Sequence, residues 1–276
     1  MQCLKDSMQK SIVVMPTLKR TEMLALALER LASQSVDNLE IRIFLDTCEA
    51  SKLDEVEFVR DMYLPGAQIY RAGTHIEAPS GCWNILNAIK SGYDSGAEFV
   101  FLIEEDVMLY PEYFQWHFAV QDSSRLLASC GRRKKEYKTE FYTNPGSCLN
   151  RKLLDCVVPH INEDYFNNRF GYLNSHFEVM EDAGDLDDGI IRRVIKQKQA
   201  EVIYPKAPVV AHQGFWAYQK LTQYKTHGTI QERIEQLRNM LPSLNPKDRY
   251  LKDFEPFKWS RQRLPDDSTG AAQQIH

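Results

Sequence analysis

Three consecutive acids, Glu104, Glu105 and Asp106, follow directly after the apolar run from Phe99 to Ile103. Alternate side chains of a strand point to the same face, so Glu104 and Asp106 are expected to project together and Glu105 to point away. Two converging carboxylates repel each other, and a divalent cation relieves that repulsion. Oxygen ligands suit Mg²⁺ or Mn²⁺, which commonly link carboxylates to substrate phosphates. The other interpretation is a solvated acidic strand end without a bound ion.

The elements that must position these acids alternate between strand and helix in the first half of the chain. Apolar runs predict strands at 11–16, 39–47 and 99–103, and 65–73 is predicted as a turn followed by a short strand. Helical spacing predicts helices at 21–34, 51–64 and 80–92. This order predicts a mainly parallel sheet with helices on both faces. Ligands of such sheets bind beyond the carboxyl ends of the strands, which is where the three acids lie.

The second half of the chain is less regular. A helix is predicted from Pro111, then a basic loop, a strand leading into a helix at 144–155, a helix at 187–199, strands at 200–205 and 207–212, and a helix at 228–241. Thr229 and Glu232 have the spacing of a capping box at the start of the last helix. Thr21 is the predicted N-cap of the 21–34 helix.

Net charge, cysteine spacing and the lengths of the apolar runs limit the classes of function that fit this sequence. The formal net charge of -4 gives no global reason to expect nucleic-acid or membrane binding, although a local basic patch remains compatible with it. The six cysteines include no CxxC pair, so neither a zinc knuckle nor a redox motif is indicated. The first residues lack the apolar core of a signal peptide, and no apolar run approaches the roughly 18 residues of a membrane span. A cytoplasmic protein (host cytoplasm if viral) without membrane insertion is therefore expected.

Several motifs in order resemble the GT-A class of nucleotide-sugar glycosyltransferases, especially the large inverting family two. The segment "VVMPTLKR" is similar to that family's first strand and "P-T-x-x-R" turn, and "FLDTC" to its acidic strand end. "GCWNILNAIKSG" resembles the "A-R-N-x-G" helix, with Trp83 where Arg is usual. "FLIEEDVMLYPEYF" resembles the "D-x-D" strand, with Glu104 where Asp is usual. "NPGSCLNRKLLD" and "GDLDDGIIRRVIKQKQAEVIYPKAPVVAH" resemble the acceptor segment and the catalytic helix, so the likeness spans 11–215.

The resemblance implies a GT-A, Rossmann-like α/β fold with a mainly parallel sheet flanked by helices. It places a catalytic domain at 1–215, with a donor half at 11–110 and an acceptor half at 111–215. Residues 216–276 would then form a C-terminal helical extension and tail. The implied activity is transfer of a sugar from a nucleotide-diphosphate sugar to an acceptor hydroxyl.

Donor and metal residues follow from the same resemblance. Glu104, Asp106 and His212 are the implied ligands of Mn²⁺ or Mg²⁺. The donor, a UDP-sugar by this likeness, would be bound by Pro16, Thr17, Arg20, Asp46, Asn84, Glu104 and Asp106.

The general base implied by the resemblance is Asp187, counted back from Pro205. Leu186 stands where the family has a Glu, which leaves Asp188 as a second candidate. A single base on the acceptor side predicts inversion at the anomeric carbon, with retention as the alternative outcome. The alternative interpretation is that these two aspartates only cap their helix.

The acceptor is the least determined part of the sequence. From Arg125 to Lys138 there are six basic residues and one acid, with aromatic residues between and after them. Such a pattern fits phosphate contacts with base stacking, and the chain looks like phage-type enzymes that glycosylate hydroxymethylated pyrimidines in DNA. A cell-envelope or capsule saccharide is the alternative acceptor, and a nucleotidyltransferase or a non-catalytic binding module is the alternative class. The implied acceptor residues are Arg132, Arg133, Lys134, Lys135 and Tyr137.

Overall fold

The computed structural model describes residues 10–17, 20–34, 39–46, 50–71, 80–132, 138–139, 142–178, 187–213 and 228–240, all within one compact unit, Met1–Ser243. The strands are β1 Ser11–Thr17, β2 Glu40–Leu45, β3 Gln68–Arg71, β4 Phe99–Leu102, β5 Val107–Leu109, β6 Leu127–Cys130, β7 Lys138–Thr139, β8 Ser147–Asn150, β9 Glu201–Ile203 and β10 Val210–His212. The helices are α1 Thr21–Ala32, α2 Ala50–Tyr63, α3 Ser80–Asp94, α4 Tyr113–Val120, α5 Arg151–Val157, α6 Glu163–Asn167, α7 Arg169–His176, α8 Asp187–Lys198 and α9 Ile230–Met240, with a 3-10 turn at Val158–His160.

The main sheet has the strand order β3-β2-β1-β4-β8-β6-β9-β7. Strands β3, β2, β1 and β4 are parallel, whereas β8 runs antiparallel to both of its neighbours, β4 and β6. All seven residues of β1 are buried, as a central strand covered on both faces requires. The predicted α/β fold with a mostly parallel sheet flanked by helices is confirmed.

Alternation along the strands assigns helices to the two faces of the sheet. Ile12, Val14, Val100 and Leu102 belong to one core cluster with side chains of α3, α5 and α8. Phe101 points to the opposite face, where its ring contacts three aromatic rings of α4 and that of His117. Among the described helices, none is long and apolar enough to cross a membrane.

Two local predictions about helix starts have opposite outcomes. The Thr229–Glu232 capping box is confirmed, because the Thr229 N–H donates to Glu232 Oε2 at 2.8 Å and the Glu232 N–H to Thr229 Oγ1 at 3.3 Å. The predicted N-cap at Thr21 is wrong. Helix α1 begins at Thr21, and Arg20 precedes it without a side-chain capping bond.

The prediction of a basic loop after α4 is wrong for the first part of that segment. Leu127–Cys130 forms the fully buried strand β6, which pairs with β8 and β9. Residues 127–130 therefore cannot belong to a basic surface segment.

Helix α9 is linked to helices α1 and α2 by ion pairs of one arginine. Arg233 lies 2.5 Å from a carboxylate oxygen of Glu22 on α1 and 2.5 Å from one of Glu55 on α2. Both acids belong to helices that flank the parallel half of the sheet. The division of the chain at residue 215 stays a prediction.

His117 gives the fold an acid sensitivity. Its ring is buried, with Nδ1 2.6 Å from Ser129 Oγ, and burial lowers its pKa from 6.5 to about 3. The unfolded chain therefore binds a proton near pH 6.5 that the folded chain does not bind until about pH 3. Stability from this group is complete above pH 6.5 and is lost as the pH falls toward 3, by about 1.4 kcal/mol per pH unit.

We therefore expect the free energy of unfolding of the wild type to fall between pH 7 and pH 5 by about 2 kcal/mol more than that of His117→Gln, which cannot titrate there. Urea denaturation at a series of pH values measures both proteins. Parallel stability curves for the two would contradict a neutral, buried His117.

Candidate metal and donor site

The three acids lie in a turn and not on an extension of β4. The Val107 N–H donates to the Glu104 carbonyl oxygen at 3.0 Å, which closes a β-turn over residues 104–107. The prediction that Glu105 points away from its neighbours is therefore wrong, because it assumed that the strand pleat continues. Glu105 is 2% exposed and pairs with Arg20, whose guanidinium also reaches Asp106.

A two-stranded ribbon brings His212 to this turn. Strands β5 and β10 pair antiparallel, with His212 opposite Val107. The Gln213 N–H donates to the Asp106 carbonyl oxygen at 2.8 Å. His212 Nε2 consequently lies 3.5 Å from Asp106 Oδ1.

The predicted metal ligands are close together. One ligand atom from each of Glu104, Asp106 and His212 lies within 4.8 Å of the other two. Ligand distances of about 2.0–2.2 Å place the donors of one ion some 3–4 Å apart, so a small rearrangement would seat a cation. Asp106 Oδ1 is buried and has no hydrogen-bond partner in the described part of the chain, which is consistent with a ligand at this oxygen. The residues present thus fit a divalent cation.

Charge at the turn also matches a divalent ion. Burial raises the pKa of Asp106, but the His212 imidazole and the Arg20 guanidinium outweigh burial and hold that pKa below its ordinary value of 3.8. With His212 counted as neutral, the formal charges of Glu104, Glu105, Asp106 and Arg20 sum to two negative units. A doubly charged cation neutralises that sum.

Two glycines form the support under β10. The Gly131 N–H donates to the Gly146 carbonyl oxygen at 2.9 Å, and the Val209 N–H donates to the Gly131 carbonyl oxygen at 2.8 Å. Gly146 has φ +61°, and a Cβ there would lie 2.6 Å from Val210 Cγ1. Val210 is two residues before His212, so this close packing fixes the strand that carries the histidine.

The predicted donor residues surround the ends of β1 and β2. Asn84 Nδ2 on α3 donates to the Phe44 carbonyl oxygen at 2.8 Å and to the Thr17 carbonyl oxygen at 3.3 Å. The Asp46 N–H also donates to the Thr17 carbonyl oxygen, at 3.0 Å. Pro16 and Thr17 end β1 as buried residues. Thr17 Oγ1 and Asn84 Oδ1 are buried and lack hydrogen-bond partners among the described residues, so polar groups of a ligand would satisfy them.

Trp83 occupies the position where the resembled family has an arginine. Its ring meets Phe166 of α6 edge-on, with centroids 4.5 Å apart. The neighbouring Cys82 also contacts α6, with Sγ 3.9 Å from the Tyr165 hydroxyl. The start of α3 is therefore packed against α6 at this position.

The candidate bases Asp187 and Asp188 begin α8, and their side chains lie outside the described part. Strand β9 is parallel to β6, and β6 is antiparallel to β8, which is antiparallel to β4. Strands β9 and β4 thus run in the same direction. Helix α8 ends just before β9 and is 12 residues, or about 18 Å, long. The edge at which β1, β2 and β4 end is the carboxyl edge, and a helix that runs back along β9, as crossover helices of α/β sheets do, would begin at that edge.

The structure describes only part of the predicted acceptor segment. Arg132 is exposed, whereas Arg133, Lys134, Lys135 and Tyr137 lie outside the described residues. Arg125 forms an ion pair with Glu201 at the start of β9. The acceptor role of this segment stays a prediction.

A surface cavity of about 440 Å³ lies elsewhere, along the second half of α3. Its lining residue Arg42 is already bonded to Glu40 and to Ser91. The mixed charges of its walls define no ligand class.

Comparison with solved structures finds a mannosyltransferase among the similar chains. TarS 1-349 from S. aureus is 15% identical, with 81% of this chain and 68% of that chain covered and a TM-score of 0.48. The mannosyltransferase PcManGT from Pyrobaculum calidifontis, in complex with GDP-Man and Mn²⁺, is 12% identical. The match covers 84% of this chain and 70% of that chain, with a TM-score of 0.48. TarS 1-349 in complex with UDP is 15% identical. The match covers 73% of this chain and 59% of that chain, with a TM-score of 0.47.

Comparison by sequence gives no match. No protein-family model matches the chain, and no curated protein matches it. At the identities and TM-scores of the solved structures, none of them establishes a family or an activity for this chain.

Proposed function

We propose that the chain is a metal-dependent glycosyltransferase of the GT-A type that uses a nucleotide-diphosphate sugar, with a UDP-sugar as the first donor to test. The observation that carries this proposal is the meeting of Glu104, Asp106 and His212 at the carboxyl edge. Strand β1, which pairs with β4, brings the buried Thr17 to the same edge, where Asn84 of α3 donates to the Thr17 carbonyl oxygen.

Each part of the site has a role in the proposed reaction. A divalent cation held by Glu104, Asp106 and His212 would act as a Lewis acid on the leaving diphosphate. Thr17, Asp46 and Asn84 would orient the nucleoside through hydrogen bonds. Neutralising and positioning groups of this kind supply most of the catalysis when a charged group leaves.

Proton transfer is assigned to the start of α8. Asp187 or Asp188 would accept the proton of the acceptor hydroxyl as its oxygen attacks the anomeric carbon. The bond between that carbon and the diphosphate oxygen breaks, and the diphosphate takes the electron pair. Attack from the side opposite the leaving group gives inversion. A helix N-terminus also favours the ionised form of such a base.

The acceptor proposed first is a hydroxymethylated pyrimidine in DNA. The basic residues from Arg132 to Lys135, followed by Tyr137, suit phosphate contacts and base stacking. Reaching a hydroxymethyl group on a paired base requires that the base be flipped out of the duplex. A cell-envelope or capsule saccharide is the alternative acceptor in the test.

The proposal predicts hydrolysis or transfer from at least one nucleotide sugar in the presence of Mn²⁺, and loss of that activity with EDTA. A screen of UDP- and GDP-sugars, with hydroxymethylated duplex, unmodified duplex or oligosaccharides, measures nucleotide release. Stimulation by modified duplex alone supports the DNA acceptor, and stimulation by oligosaccharides overturns it.

Controls separate the other classes of protein. Pyrophosphate release from a nucleoside triphosphate and a sugar 1-phosphate would show a nucleotidyltransferase. Binding of a nucleotide sugar without turnover under every condition would contradict catalysis and leave a binding module.

A further inference from the structure

We infer that Glu105 and Arg20 form a positioning pair that sets the affinity of the metal site although neither is a metal ligand. The inference rests on the proposed function in one respect, that Glu104, Asp106 and His212 hold a divalent cation. It concerns how the Asp106 carboxylate is presented to that cation.

The pair is defined by a forked contact. Arg20 Nε lies 2.6 Å from Glu105 Oε1, and Arg20 Nη2 lies 2.9 Å from Asp106 Oδ2. The guanidinium is planar and rigid, so holding one nitrogen on Glu105 fixes the direction of the other toward Asp106. Lysine, with a single ammonium group, cannot reproduce this geometry.

The fork distinguishes the two oxygens of Asp106. Oδ2 is bonded to Arg20, whereas Oδ1 lies on the side of His212, 3.5 Å from Nε2, without a hydrogen-bond partner among the described residues. The terminal torsion of an aspartate is broad and would otherwise let the carboxylate rotate. With Arg20 in place, Oδ1 is turned toward the position that Glu104 and His212 share.

Glu105 supplies the fixed point of the arrangement. Its side chain is 2% exposed, while that of Arg20 is 24% exposed. A long arginine side chain loses rotamer entropy when it is held in one geometry, and an ion pair to an immobile buried carboxylate helps to offset that loss. A buried acid of this kind is weak as a source of net stability, so a specific geometric role accounts for it better.

A simple charge effect would give different results from positioning. Replacing Arg20 by Gln makes the four charged side chains more negative by one unit, so electrostatics alone predicts tighter Mn²⁺ binding. Positioning predicts weaker binding. Glu105→Asp keeps the charge and shortens the side chain by one methylene, so charge alone predicts no change and positioning predicts weaker binding again.

The experiment measures the dissociation constant of Mn²⁺ from the free-ion signal in electron paramagnetic resonance, with the full chain and no nucleotide. We expect Arg20→Gln, Arg20→Lys and Glu105→Asp each to weaken Mn²⁺ binding by about 10-fold to 100-fold. Arg30→Gln is the matched control, since Arg30 is exposed on α1, the helix that Arg20 precedes, about 15 Å further along, and its loss changes the net charge equally.

The outcomes separate this inference from the proposed function. If the wild type binds Mn²⁺ and Arg20→Gln binds it equally or more tightly, the positioning role is overturned while the metal site stands. If the wild type binds no Mn²⁺, the metal site itself is overturned, and the positioning role with it. Circular dichroism confirms folding of each variant, and Glu105→Asp, which keeps every charge, provides the result if Arg20→Gln fails to fold.

Discussion

Asp106→Asn should weaken Mn²⁺ binding by about 100-fold or more and lower metal-dependent donor turnover by roughly 1000-fold. The amide keeps the shape of the carboxylate but is neutral, so it loses the charge that makes Oδ1 a strong ligand. Loss of several kcal/mol of charge stabilisation in the transition state corresponds to a rate change of this order. The Mn²⁺ dissociation constant and nucleotide release are measured on the same preparation.

Asp94→Asn is the control for this substitution. Asp94 is exposed near the end of α3, where it pairs with Lys90 at 2.9 Å, so the same chemical change there should alter neither quantity. Unchanged Mn²⁺ affinity in Asp106→Asn would mean that the ion does not bind at the 104–107 turn. Weaker binding with unchanged turnover would mean that catalysis does not use the ion.

Gly146→Ala should have the second largest effect, on both stability and metal affinity. Alanine at φ +61° costs roughly 1–2 kcal/mol, and its Cβ would lie 2.6 Å from Val210 Cγ1. Relieving such overpacking costs typically about 1–3 kcal/mol more. Displacement of Val210 moves β10 and therefore His212, so Mn²⁺ affinity should fall together with the free energy of unfolding.

Gly96→Ala separates the backbone penalty of a positive φ from the overpacking against Val210. Gly96 has φ +77°, and a Cβ there would meet nothing within 4 Å. Its substitution should cost only the backbone penalty and leave Mn²⁺ binding unchanged. Urea denaturation and Mn²⁺ titration of both variants make the comparison. Equal losses of stability, or intact metal affinity in Gly146→Ala, would contradict the role of Gly146 under β10.

The parallel half of the sheet was predictable because its strands and helices carry strong local patterns. The run Ile12 to Met15 is fully buried in β1, and 80–92 is helical, as predicted. Strands β5 and β6 were missed, because three or four residues are too few to establish an alternating pattern. Leu127–Cys130 was further obscured by the basic residues that follow it. The apolar run Val107–Leu109, between Asp106 and Pro111, was the one signal for β5.

The sequence predicts which residues belong to the site better than it predicts how they are arranged. Glu104, Asp106 and His212 do lie together, although a turn and the β5–β10 ribbon bring them there. The partnership of Arg20 with Glu105 joins residues 85 positions apart, and no local pattern reveals a contact at that separation. The sequence therefore places Arg20 only among the donor-binding residues, and it predicts the wrong direction for the Glu105 side chain.

In the proposed site, Glu104, Asp106 and His212 bind one divalent cation. Crystals of the full chain grown with Mn²⁺ and UDP would test it by anomalous diffraction at the manganese edge. We predict one strong peak about 2.0–2.3 Å from an oxygen of Glu104, Oδ1 of Asp106 and Nε2 of His212. A crystal with Mn²⁺ bound elsewhere, and no peak among these three side chains, would contradict the claim.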